Sequence, residues 1–450
     1  MCAKFDRPCG HEILVMLFVV GGVLVSGLTS PSVATAAPWT LASAISTISA
    51  LEQTGAGSVR PHSLLDVMID DESGLCSEGV WHNSWLGVSR VLAARKLREI
   101  GEDAEASRFI DSAFMLGESL HEMSFDGSGF RRRTSSGYWE SWDAASAAAI
   151  EESGEDASFY AASDEYRCAS SGAAAIFFSL LAEEAEVGTP AADAATARSV
   201  EIFDAFTEAF FDTSACRFRR EAGDACNGEG ESGYWRAVDQ AVGCLASLRM
   251  ARMGHRVAES RAAASCAADS LLGAFGYSLY ATEGQPPGTY LGCAPPPPRN
   301  SWHDGLACFA LLASGVLGVG GETPAGLIRA MADSYLDDDG SVSAAKVILH
   351  RPIEQRQDAG APMQDEREVA YSSTQALWSA CVRAAEVTND RAAAAGGADV
   401  PALRTWCERT RQADSGLLPV ANVYTTPRLW ANTEWAAFVL LEKDIFVGAP

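Results

Sequence analysis

Residues 235–250 read Trp-Arg-Ala-Val-Asp-Gln-Ala-Val-Gly-Cys-Leu-Ala-Ser-Leu-Arg-Met. An aromatic residue opens the stretch and an Ala/Leu-rich run follows, apolar on most faces, which suits a helix buried all round better than one lying on a surface. The same opening recurs at Trp81-His82-Asn83-Ser84-Trp85, Trp139-Glu140-Ser141-Trp142-Asp143, Trp302-His303-Asp304, Tyr371-Ser372-Ser373-Thr374-Gln375 and Trp430-Ala431-Asn432-Thr433-Glu434. Six openings of one kind define a repeat, and units that cannot bury their own apolar faces must bury each other's.

Between these inner helices runs a second pattern with a clear polar face, over 39–53, 103–121, 193–211, 256–275, 324–336 and 401–412. Turns rich in Asp and Gly follow, such as Asp126-Gly127-Ser128-Gly129, Asp212-Thr213-Ser214 and Asp337-Asp338-Asp339-Gly340, each leading into a short hairpin-like stretch. The unit is therefore outer helix, Asp/Gly turn, small hairpin, inner helix. Phe130-Arg131-Arg132-Arg133 through Tyr138-Trp139 is echoed by Phe218-Arg219-Arg220 through Tyr234-Trp235, so two of the junctions share a design. Buried members arranged as an inner wall, with the first helix beside the last, predict an all-α fold: a closed (α/α)6 toroid with β-hairpins at its rim. The interval from 139 to 235 is about one helix too long, which places an insertion within 139–186. Either Trp139 or the Tyr166–Glu186 segment then opens the second inner helix, and a seven-unit ring is the other solution.

With 450 residues and 48% apolar content the chain can build a large core. Its 59 acidic and 34 basic residues leave a net charge of −25, a field that repels polyphosphate and excludes nucleic acid as a partner. Residues Ile13 to Leu28 are uncharged and apolar, and Ala34-Thr35-Ala36 fits a signal-peptidase site. Residues 1–36 are accordingly expected to be a signal peptide, or a single-span anchor if uncleaved, ahead of one toroid domain over 37–450. The expected destination is outside the cell or an organelle lumen, the expected state a monomer. In an oxidising compartment Cys216 and Cys226, bracketing a Gly-rich loop, are the expected disulfide, whereas Cys244, Cys308 and Cys381 read as buried thiols. No Cys-x-x-Cys or Cys-His cluster has zinc spacing, the Asp337–Asp339 run has Tyr335 and Lys346 where a calcium loop would need an acid and a Glu, and no phosphate-binding glycine motif occurs, so neither metal nor cofactor is expected.

On these six openings the chain resembles the six-hairpin glycosidase superfamily. That resemblance covers nearly all of residues 39–446 and implies a carbohydrate-handling cavity at the amino-terminal ends of the inner helices. Residue chemistry points to the same place, because Trp81, Trp85, Trp139, Trp142, Trp235, Trp302, Trp378, Trp430 and Trp435 lie in or near inner-helix starts, where an indole face can stack on a pyranose. Tyr371 does the same duty in the fifth unit. Asp143, Asp239, Gln375 and Glu434 stand four residues after their aromatic, on the same helical face, and Asp304 stands two after. Glycoside hydrolysis needs a carboxylic acid and a carboxylate, for which Asp239 and Asp304 are the first choice and Glu434 an understudy for either. The same acids could instead cap helix amino termini, leaving a silent toroid that binds a glycan or a protein. A third reading is a 2-epimerase-like isomerase with His82 and His303 as acid and base.

Overall fold

The computed structural model describes residues 38–56, 68–70, 75–134, 163–220, 235–275, 290–291, 301–315, 336–338, 346–348, 372–392 and 429–447. In chain order the helices are α1 (Pro38–Ala56), α2 (Val80–Glu99), α3 (Asp103–Ser124), α4 (Cys168–Glu184), α5 (Pro190–Phe210), α6 (Ala237–Arg252), α7 (Val257–Gly273), α8 (Ser301–Ser314), α9 (Ser372–Ala392), α10 (Leu429–Leu440) and α11 (Asp444–Val447).

Six of them form a closed wall. Helix α2 packs on α4, α4 on α6, α6 on α8, α8 on α9, α9 on α10, and α10 back on α2. The outer helices α3, α5 and α7 lie on α2, α4 and α6, and α1 covers the seam between α10 and α2 where the last wall helix meets the first. Sequence character follows position. Helix α4 is buried at almost every residue from Cys168 to Ala182, whereas α5 buries only a stripe of Ala192, Ser199, Ile202, Phe203, Ala205, Phe206 and Phe210. Helix α5 also shows why it begins where it does: Thr189 accepts the Ala192 amide on its hydroxyl at 3.2 Å and Pro190 takes the first turn, where no amide donor is needed.

The wall helices approach closely through glycines. A Cβ on Gly87 of α2 would lie 2.3 Å from the Phe177 ring of α4, one on Gly172 of α4 would lie 2.4 Å from Val242 of α6, and Gly305 of α8 receives the Trp378 indole of α9. Each contact seats a bulky side chain of one helix against the bare backbone of the previous one. Gly87→Ala is therefore expected to cost about 1–3 kcal/mol, because the Phe177 ring is itself fully buried and packs on Phe178. Urea unfolding reads the loss, and an unchanged midpoint would refute the close-approach argument.

Ring membership settles the second unit: the wall position belongs to Cys168–Glu184, and the extra length lies ahead of it. The Trp139 opening lies outside the described residues, as do the leader and the outer helices expected over 324–336 and 401–412. Among the described residues no helix is long and apolar enough to cross a membrane.

Short strands decorate the end of the ring where the wall helices begin. Strands β1 (Met68–Asp70), β2 (Leu75–Gly79), β3 (Arg131–Thr134) and β4 (Ser163–Tyr166) form one antiparallel sheet in that order, and β2 leads straight into α2. The hairpin of β5 (Phe211–Asp212) and β6 (Arg217–Phe218) turns on Asp212, whose carboxylate accepts the Ser214 and Ala215 amides. Gln240 of α6 fastens this hairpin by accepting the Phe218 amide and donating to the Phe218 carbonyl. Strand β7 (Trp235–Arg236) pairs with β8 (Tyr290–Leu291), and β9 (Leu336–Asp338) with β10 (Lys346–Ile348).

Cys216 in the β5–β6 turn is bonded to Cys266 of α7, with Cα atoms 5.1 Å apart, and not to Cys226 as local spacing suggested. Folding lays α7 beside the hairpin and presents a partner 50 residues away that linear proximity cannot show. Cys244, Cys308 and Cys381 are free and buried, as expected, and Cys168 joins them. Closing a loop of this length limits the unfolded chain by up to about 4 kcal/mol. Dithiothreitol and Cys216→Ser are expected to lower the unfolding midpoint equally, and additive effects of the two would show that another bond carries the stabilisation.

The opposite end of the ring is closed by the chain's last turn. Arg249, at the end of α6, is fully buried. It donates to the Ser179 hydroxyl at 3.0 Å, the Ser179 carbonyl at 3.1 Å and the Ile445 carbonyl, and it pairs with Glu183 at 3.0 Å. Burial draws the guanidinium down to about 10 while the Glu183 carboxylate opposes that, so it stays charged at neutral pH. Arg252 holds the Asp444 carbonyl, and Arg383 donates to the carbonyls of Phe438, Val439 and Leu441 at the end of α10, the first of which also accepts the Leu441 amide.

Candidate functional site

The helix starts of α2, α8, α9 and α10 bring together Trp81, His82, Trp302, Ser373 and Glu434. Trp81 and Trp302 come from opposite sides of the six-membered wall and meet on its axis, ring centroids 5.6 Å apart at 64°. Below them Trp85 sits edge-on to Trp81 at 5.5 Å and to Phe438 at 4.8 Å, so aromatic side chains fill the centre of the ring and indoles floor its amino-terminal mouth.

Glu434 lies in that floor, 3% exposed. The Trp81 indole donates to its Oε1 at 2.6 Å and the Trp302 indole to its Oε2 at 3.1 Å. One carboxyl thus ties together the two tryptophans of opposing walls. Burial pushes the carboxyl up to about 7, against the opposing pull of the Trp81 indole, the Ser373 hydroxyl and the Trp302 indole. The Ser373 hydroxyl is buried outside hydrogen-bond geometry, which leaves the two indoles as the donors to this carboxyl among the described residues. His82 Nδ1 is 3.8 Å from Oε1, and the His303 ring packs edge-on against Trp302 at 5.4 Å.

The first-choice carboxylates are differently placed. Asp239 is fully buried and held in a two-toothed ion pair by Arg236, Nε to Oδ2 at 2.7 Å and Nη2 to Oδ1 at 2.8 Å. A carboxylate in the first turn of α6, paired three residues back, fits the helix-terminus reading of such acids. Asp304 is likewise fully buried in the first turn of α8. Trp85, Trp235, Trp378 and Trp435 belong to the core, the Trp378 indole donating to the Ser301 carbonyl at 3.0 Å, so their indoles are packing, and among the described tryptophan side chains only Trp81 and Trp302 keep a partly open face. Trp139, Trp142, Asp143 and Tyr371, with the side chains of Gln375 and Trp430, lie outside the described residues. Among the described residues no group of three metal-ligating side chains forms.

Solved structures share this arrangement of helices. A D-mannose isomerase superposes with a TM-score of 0.61 over 91% of this chain and 99% of its own, at 10% identity. The cellobiose 2-epimerase of Spirochaeta thermophila gives 0.59 at 13% identity, over 90% and 97% of the two chains. A GH76 alpha-mannanase of Bacteroides thetaiotaomicron gives 0.55 at 9% identity, over 89% and 94%. The chain shares the (α/α)6 toroid fold of these structures. At these identities the likeness speaks for the fold alone. No protein-family model matches the chain, and neither does any curated protein sequence.

Two features of this site were not legible in the sequence. Glu434 was one of three candidate acids, and nothing in its sequence neighbourhood marks it as the acid that both indoles address. Ser373 was visible only as part of an inner-helix opening.

Proposed function

We propose that this protein is a carbohydrate-active enzyme, a glycoside hydrolase working in the bowl at the amino-terminal mouth of the toroid. The observation that carries this reading is Glu434: a carboxyl on the ring axis, buried beneath two half-open indoles, and raised by that burial to about 7. An acid poised near neutral pH is what protonation of a glycosidic oxygen requires, and indole faces beside it are what a pyranose stacks on. The solved structures of this fold handle sugars in the same architecture, which supports the substrate class. His82 beside Glu434, and His303 beside Trp302, favour isomerisation of a sugar as the second reading. The Cys216–Cys266 bond supports residence in an oxidising compartment, in keeping with secretion or an organelle lumen.

A panel of chromogenic glycosides, polysaccharides and free aldoses, run with the protein and with Glu434→Gln, tests this. Product release from a glycoside that disappears in the variant is the expected result. Interconversion of free aldoses without glycoside cleavage would replace the hydrolase with the isomerase. Glycan binding with no turnover of any kind would reduce the toroid to a binding module.

A further inference from the structure

The seam between wall helices α8 and α9 carries two sulfurs that no part of the site uses. The helices run side by side in register: the Trp378 indole of α9 donates to the Ser301 carbonyl of α8 at 3.0 Å, and one turn on the Cys381 thiol donates to the Gly305 carbonyl at 3.3 Å. Gly305 brings the backbones close at that level, since a Cβ there would lie 3.0 Å from the Trp378 indole and 3.1 Å from Leu377. Cys308 stands three residues after Gly305, on the same helical face, and its thiol is hydrogen-bonded to Cys381. Neither cysteine keeps more than 1% of its surface open. Cys168, also buried and free, donates to the Asp239 carbonyl instead. Burial above all, with the hydrogen bond to Cys381 adding to it, holds the Cys308 thiol well above the ordinary range, so the closed wall offers almost no thiolate there. To reach the bonding distance of about 2.05 Å the two sulfurs need only turn toward each other about their Cα–Cβ bonds.

We propose that Cys308 and Cys381 are a latent disulfide, a dithiol that stays reduced while the α8–α9 seam is shut and closes into a cross-wall bond when the seam opens to a small-molecule disulfide. With oxidised glutathione as the oxidant the step balances. One cysteine, opened to solvent as its thiolate, attacks a glutathione sulfur, the glutathione S–S bond breaks, and one glutathione thiolate leaves with the bonding pair. The second cysteine thiolate then attacks the protein sulfur of this mixed disulfide, the Cys308–Cys381 bond forms, and the second glutathione leaves. Two protein thiols are oxidised, one glutathione disulfide is reduced, and the two protons end on the two glutathione thiols. The seam matters to the site because its mouth end holds Trp302 of α8 and Ser373 of α9 beside Glu434, so the bond fixes two of the helices that build the mouth. None of this depends on which sugar reaction the site performs.

The test exposes the full chain to oxidised glutathione, once in buffer and once at the urea concentration, below the unfolding midpoint, at which buried Cys244 becomes open to alkylation. Acid quenching, alkylation of the remaining thiols, non-reducing digestion and mass spectrometry then read which cysteines have paired. A peptide carrying Cys308 linked to one carrying Cys381 is expected, forming about tenfold faster or more in urea than in buffer. The urea midpoint of the oxidised protein should rise by at least as much as Cys216→Ser lowers it, because the loop closed is longer than the 50 positions between Cys216 and Cys266. Cys308→Ala and Cys381→Ala should each abolish both the linked peptide and the rise, and either variant decides should the other fold poorly. Glutathione retained on either cysteine, pairing of Cys308 with any residue but Cys381, or both thiols still free once Cys244 has reacted overturns the pair. Equal rates in buffer and in urea would overturn the shielding by the closed wall, and an unchanged midpoint the bond's hold on the seam.

Discussion

Glu434→Gln is expected to reduce turnover of the protein's sugar substrate by about 10²–10⁴-fold while leaving a folded protein, the range that loss of a general acid or of the carboxylate orienting one produces. Glutamine keeps the shape of the side chain and one acceptor, so one of the two indoles retains its partner; the other faces an amide NH₂ and loses it. The comparison that gives the result its meaning is Asp239→Asn. That change leaves the Arg236 guanidinium without its two-toothed partner at the start of α6, and its cost should fall on stability, on the order of 2–4 kcal/mol, less than for a wholly enclosed ion because Arg236 keeps some solvent. Rates per folded molecule should stay within about tenfold of the parent. Near-UV circular dichroism and urea unfolding establish the folded fraction, and initial rates are normalised to it. If Asp239→Asn abolishes turnover in folded protein while Glu434→Gln does not, the site must be moved from α10 to α6.

Arg249→Ala should be the most destabilising single change at the closed end of the ring, by about 3–5 kcal/mol. The guanidinium serves Ser179 twice, Ile445 and Glu183 from a position with no solvent access. Truncation takes the side-chain donor from the Ile445 carbonyl and from Ser179 and opens a void between α4, α6 and helix α11. Glu183 retains Arg95 and Arg252, so the loss is chiefly that of the carbonyl acceptors and of packing. Arg249→Lys keeps the charge but not the planar fork, and less than half of the lost stability should return. Urea midpoints of the three proteins measure this. An alanine variant within about 0.2 M of the parent would mean that the last turn is held by its apolar contacts, such as Phe446 on Phe309, and not by the arginine.

The contrast between Glu434 and Asp239 shows how far sequence could carry the assignment. Both stand four residues after an aromatic at the start of a wall helix, and position alone ranks them equally. What separates them is the partner each meets. Arg236 reaches Asp239 within its own helix turn, whereas the indoles that address Glu434 come from residues 353 and 132 positions away. The disulfide repeats the lesson, since Cys226 is near Cys216 in the chain but Cys266 is near it in space.

Periodicity, burial pattern and the recurring aromatic openings determined by themselves that buried and amphipathic helices alternate and close into a toroid, because those features report how much of each helix must leave water, a local property of every turn. Which opening began the second wall helix, which tryptophans became core and which floor, and which acid lost its water among indoles were decided only by the closed ring. Those outcomes depend on residues from opposite walls meeting on an axis, and no segment of chain carries that distance within itself.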